Sequence, residues 1–241
     1  MVRRAVVPPK LRKQASGEGR PGDSMLQSLF GRRWLLAVLL AFAAESIAFF
    51  VLSAVPVPQS YSASLLSYYH SAESSIQNAS PAGAVLIIFT HNLLIATLEM
   101  IPGLGLLVFS ASTAATGLAV GVLGSSYGAY GPVLTASLYL APHTWFELPA
   151  YAIGLVAGLS MAYAIVRRKA LAELKRFAAS WVLMALLLLF AAILESGEIK
   201  IGLINPLYLY LLWIPAFLAI IAFYMIMCRR RGAGLTQWTT R

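Results

Sequence analysis

Apolar residues run through this chain in long blocks, separated by short polar or Pro/Gly-marked breaks. The first block is Trp34 to Val55, with one carboxylate, Glu45, near its middle. Residues 56–83 form a Ser-rich segment with Pro56, Pro58 and Pro81, and read as a loop. The next apolar stretch, Ala84 to Leu123, is 40 residues long and interrupted by Pro102-Gly103. As helix it would cross the ~30 Å hydrocarbon core twice, so it splits into two spans at the Pro-Gly. Pro132 to Val166 is also too long for one straight span. Pro142 and Pro149 are its candidate breaks, giving a short re-entrant or broken segment around 132–149 and a helix from about His143 to Val166. A fifth span covers about Phe177 to Leu194. A short loop, Glu195 to Asn205, leads to a sixth, about Pro206 to Met227. The pattern predicts an all-α fold: a polytopic membrane bundle of about six helices.

Composition excludes an ordinary soluble domain. Of 241 residues, 59% are hydrophobic and 11% charged, against about 25% charged in soluble domains; mean hydropathy is +0.77. The formal net charge of +9 does not point to nucleic acid, because the bases sit at the edges of apolar runs and form no stripe interleaved with stacking aromatics. In the six-span reading 17 of the 18 bases fall on one side: the 1–33 segment, the 167–176 loop and the C-terminal end. Only Lys200 faces the other. The positive-inside rule then puts both termini in the cytoplasm and the chain in the cell membrane. Residues 1–30 read as a basic disordered cytoplasmic tail, 31–231 as the membrane domain and 232–241 as a short tail. The first block is longer than a signal-peptide core and is read as a span. With Cys228 the only cysteine, no intrachain disulfide forms.

Chemistry, if any, sits with the polar residues inside apolar runs: Glu45, His91, Asn92, Glu99, His143 and Glu147. A charge at the bilayer centre costs about 2.5–3.5 kcal/mol on insertion scales, so these groups need partners. His143 and Glu147 stand at i and i+4, and Asn92 and Glu99 at i and i+7, each pair on one helix face. Three readings follow. One is a buried polar network that locks the helices. Another is a divalent metal site, zinc for example, with His143, Glu147, His91 and Glu45 as candidate ligands. The third is a proton or ion path. No H-E-x-x-H, nucleophile triad or phosphate-binding glycine loop is present. Gly117, Gly121 and Gly124, and then Gly154 and Gly158, recur at the spacing that lets helices approach closely in lipid.

The segment from His91-Asn92 through Gly103, Gly117 and Gly121 to Pro142-His143-Thr144-Trp145-Phe146-Glu147-Leu148-Pro149-Ala150, then Gly154 and Gly158, resembles the stage II sporulation protein M family. Its most specific piece is P-H-x-x-x-E-L-P-A, matched by Pro142 to Ala150. The chain departs at two places: Thr116-Gly117 stands where the family has Asn-Gly, and Thr144 where a Gly commonly follows the motif histidine. The resemblance implies a multi-pass membrane scaffold. The family's named bacterial member works with peptidoglycan-degrading partners during engulfment, yet many relatives occur in organisms that make no spores. The expectation is therefore a non-enzymatic scaffold or assembly protein. Its partners would be the lipid bilayer, other membrane or envelope proteins, and a second copy of itself in a homo-oligomer. The alternatives are an intramembrane metal-dependent enzyme using His143 and Glu147, and a small ion or solute transporter component.

Overall fold

A computed structural model describes residues 31–202 and 206–228. The tails at 1–30 and 232–241 lie outside the described residues. Eight α-helices and one 3-10 helix make up the described chain, with no strand among the described residues. They are α1 (Arg32–Ser53), α2 (Gln59–Asn78), α3 (Pro81–Glu99), α4 (Gly105–Ser126), α5 (Gly131–Leu138), α6 (Thr144–Val166), α7 (Ala170–Gly202), the 3-10 helix Pro206–Leu212, and α8 (Trp213–Cys228). Five of them, α1, α3, α4, α6 and α7, are long and apolar enough to cross a membrane. A shorter apolar stretch, Leu209–Ala222, provides the sixth apolar segment. The architecture is an all-α membrane helix bundle.

Local chemistry sets the boundaries. Ser80 caps α3, its hydroxyl accepting from the Gly83 amide at 3.1 Å, with Pro81 at the first helical position. Pro102-Gly103 is the expected turn between α3 and α4; Gly103 sits at φ 88°, which L-residues resist. The α5–α6 corner falls at Pro142 rather than Pro149, and α6 runs straight through Pro149. Three carbonyls at this corner are satisfied by side chains. Thr144 Oγ1 donates to Leu138 O at 2.8 Å, Trp145 Nε1 to Tyr139 O at 2.9 Å and Trp213 Nε1 to Leu140 O at 3.0 Å. Such bonds make a helix break tolerable in an apolar medium.

Two segments differ from the sequence reading. The Ser-rich segment is mostly helix, α2, because no Gly or Pro interrupts 59–80 and its serines bond back to the preceding turn, as Ser75 does to Ser71 O at 2.8 Å. Being polar does not unmake a helix; α2 buries none of its residues. The expected loop at 195–205 is instead helical as far as Gly202, so α7 has 33 residues, about 50 Å at 1.5 Å per residue. That exceeds the ~30 Å hydrocarbon core. The extra turns are held by tertiary contacts: Lys200 Nζ donates to the carbonyls of Gln77 and Ala79, and Glu198 binds His143.

The core lies around α6. Residues 150–158 of that helix are buried without interruption, against Ala96 and Met100 of α3, Met184 and Leu188 of α7, and Val38 of α1. A second cluster, Phe146, Leu194 and Ala216, ties α8 to the start of α6. The glycines sit where backbones cross. A Cβ on Gly117 would lie 2.7 Å from Leu52 Cβ, on Gly121 2.6 Å from Ser53 O, on Gly124 3.0 Å from Gly131 Cα, on Gly154 3.0 Å from Ala96 O, and on Gly158 2.8 Å from Glu99 O. Gly131 meets Ser53 O as well, a contact the spacing argument did not single out.

Candidate functional site

The α5–α6 corner delivers His143 as the residue before α6, at the end of the bundle where α7 carries Glu195 and Glu198. Glu198 grips it twice. Its Oε1 accepts from the His143 backbone N–H at 3.4 Å, and its Oε2 lies 2.5 Å from Nδ1. The carboxylate thus caps an orphan amide at a helix N-terminus, where negative charge is favoured. One turn on, the Glu147 amide donates to His143 O at 3.0 Å, so the two side chains share a face. Glu147 Oε1 accepts from Asn92 Nδ2 at 3.1 Å and from Tyr151 OH at 3.3 Å. Glu195 completes the group: a ring nitrogen of His143 and one carboxylate oxygen each of Glu147 and Glu195 all lie within 4.8 Å of one another.

Asn92 reaches this group because the buried face of α3 is the stripe Ala84, Ile88, Asn92, Ala96 and Glu99, at helical spacing. His91 is placed differently. One residue along a helix is a turn of about 100°, and His91 is exposed. The expectation that His91 is buried with the cluster is corrected accordingly; the residue lies outside the three-residue set, though within Coulombic reach of Glu147. Glu45 and Glu99 are buried, at 3% and 1% exposure, but outside the three-residue group. Glu99 Oε1 accepts from Ser112 Oγ at 2.9 Å. Glu45 Oε2 and Glu99 Oε2 have no hydrogen-bond partner among the described residues. Glu45 lies within Coulombic reach of both Glu99 and Glu147, and Glu195 within reach of Glu147, His143 and Glu198.

Three of the chain's nine acidic residues, Glu147, Glu195 and Glu198, therefore surround one imidazole, and Glu45 and Glu99 are buried elsewhere in the bundle. Glu195, Glu198 and Tyr151 were missed from the sequence. The signal for the first two was available: Glu195 and Glu198 stand at i and i+3, with no Pro until Pro206, directly after an apolar run. Tyr151 stands four residues after Glu147, on the same helix face.

The family model described as Stage II sporulation protein M matches residues 35–197, well over half of the chain. The chain belongs to that family. No match was found among curated proteins or among solved structures. The segment matched by the stage II sporulation protein M model runs from α1 through most of α7. It contains His143, Glu147 and Glu195, and also the glycine crossings of α4 and α6. Glu198 follows one residue beyond its end, and α8 lies wholly outside it.

Proposed function

We propose that this member of the stage II sporulation protein M family is a non-enzymatic platform that assembles partner membrane or envelope proteins in the cell membrane. The observation that supports it is the set of backbone crossings at glycine. Gly117 and Gly121 seat α4 on the C-terminal turn of α1, and Gly154 and Gly158 seat α6 on α3. Alternating-access transport requires one group of helices to rock against another, and interfaces packed backbone to backbone resist that movement. Two surface clefts lie away from His143, Glu147 and Glu195. One lies at the α6–α7 hairpin beside Tyr163, Arg167 and Arg176, the other beside Val55, Tyr61 and Leu118. Photo-crosslinking from the exposed positions Phe217 and Ile221 of α8 in native membranes tests the proposal. A discrete protein adduct that persists in Glu147→Gln is the expected result. Cation or proton uptake by liposomes carrying the purified chain, abolished by Glu147→Gln, would replace the platform with a transporter.

The orientation within this reading places the α6–α7 hairpin in the cytoplasm with both termini, and α2 outside. Support comes from the hairpin itself, where Arg167, Arg168 and Lys169 turn the chain, as bases on a cytoplasmic loop do. In a Cys228→Ser background, Ser71→Cys is expected to react with an impermeant maleimide on intact cells, and Lys169→Cys only after permeabilisation. The reverse pattern would invert the topology.

A second reading, an intramembrane metal-dependent enzyme, is favoured by one observation only, the His143–Glu147–Glu195 grouping. Its first requirement is that a metal binds.

A further inference from the structure

We infer that His143, Glu147 and Glu195 bind one divalent transition-metal ion of the zinc type, with Glu198 as the outer carboxylate that orients the imidazole. Three features of the site carry this. The first is the donor set: one imidazole nitrogen and two carboxylate oxygens within 4.8 Å of one another. An ion about 2.0–2.2 Å from each fits between them after a small closure of the side chains, and a mixed N/O set suits zinc and its neighbours rather than calcium or magnesium.

The second is the state of the histidine. Glu198 accepts at Nδ1, which assigns the ring proton there and leaves the lone pair on Nε2. Thr144 Oγ1 stands 3.4 Å from Nε2, but its proton is directed to Leu138 O at 2.8 Å. A carboxylate holding one ring nitrogen while the other faces a cation is the recurring support of metal-bound histidines. The third feature is Glu195. It is half-buried and accepts no hydrogen bond among the described residues, although it faces Glu147 and Glu198, both acids. The next cation along α7 does not neutralise the group, since Lys200 Nζ is directed to the carbonyls of Gln77 and Ala79. An excess of carboxylate in an apolar surround is relieved by a bound cation.

The ion ties the first turn of α6 to the far end of α7. This inference does not rest on the platform reading, because metal content and partner assembly are separate measurements. The full chain, purified in detergent and stripped with chelator, is dialysed against zinc alone and assayed by elemental analysis. Cobalt substitution is followed by its visible absorption. About one zinc per chain is expected, with a rise in melting temperature on zinc addition. Glu195→Gln is expected to lose both the metal and the rise. It is the decisive variant, because Glu195 has no hydrogen bond to lose among the described residues and the fold has little reason to fail. Glu198→Gln is expected to weaken binding roughly 10–100-fold. His91→Gln and His70→Gln, outside the group, are expected to retain the metal. Parent protein without zinc, or a Glu195→Gln protein with the parent's zinc content, would overturn the inference.

Discussion

Gly158→Leu is expected to stop α6 from seating on α3, with loss of most folded protein on purification. Even the single carbon of Gly158→Ala would lie 2.8 Å from Glu99 O, 2.9 Å from Met100 O and 3.0 Å from Met100 C. These are backbone atoms at the end of α3, so no side-chain rotation relieves the overlap. Moving them also disturbs the Pro102-Gly103 turn that follows and the Glu99–Ser112 hydrogen bond. Overpacking of this kind costs about 1–3 kcal/mol for a small addition; leucine adds three further carbons at the same point and exceeds it. Gly121→Leu is expected to behave alike, because its Cβ would meet Ser53 O at 2.6 Å. Gly154→Ala is expected to be milder, since one of its two nearest neighbours is the flexible Met184 Sδ at 3.2 Å. Gly31→Ala, with nothing within 4 Å, is the neutral control. Thermal melts of the detergent-solubilised variants check the ranking. A Gly158→Leu protein that melts with the parent would show that the crossing is not as close as described.

How much of this was legible depended on which physical signal each element carries. The apolar blocks mark α1, α3, α4 and α6 because lipid imposes a length on them. Pro102-Gly103 and Pro142 mark corners because proline fixes φ and removes a donor, while Gly103 adopts the positive φ that other residues resist. Hydropathy failed at α2 and at the end of α7, where it separates lipid from water but not helix from loop. The helical continuation through Glu195 and Glu198 is held by contacts of Glu198 with His143 and of Lys200 with Gln77 and Ala79, which are 55 to 123 residues distant in sequence and have no local trace. The site was half-legible for the same reason. The i, i+4 spacing of His143 and Glu147 is a local fact, and so is the i, i+7 spacing of Asn92 and Glu99 that put both on one face of α3. His91 was placed in the buried cluster by polarity alone, whereas the phase of the α3 stripe, Ala84-Ile88-Asn92-Ala96, leaves it off the buried face, at the Coulombic edge of Glu147.

Glu45→Gln is expected to stabilise the protein, by about 1–3 kcal/mol, the typical cost of leaving a buried polar group unsatisfied. Glu45 sits midway along α1, on the narrow buried stripe of Val38, Glu45 and Ser53. Its Oε2 has no partner among the described residues, and the neighbours within Coulombic reach, Glu99 and Glu147, are also acids. Glutamine keeps the shape, cannot ionise and gains an amide that can donate to a neighbouring carboxyl. Glu147→Leu has the opposite expectation. It removes the acceptor of Asn92 Nδ2 and Tyr151 OH and leaves both donors stranded in the bundle, so it destabilises by a similar amount. Two buried glutamates on neighbouring helices thus separate by the sign of the change, because one has donors and the other has none among the described residues. Melts of the two variants against the parent, in the same detergent and without added metal, decide the matter. A Glu45→Gln protein less stable than the parent would overturn the expectation and mean that the carboxyl is held by a donor or cation beyond the described residues.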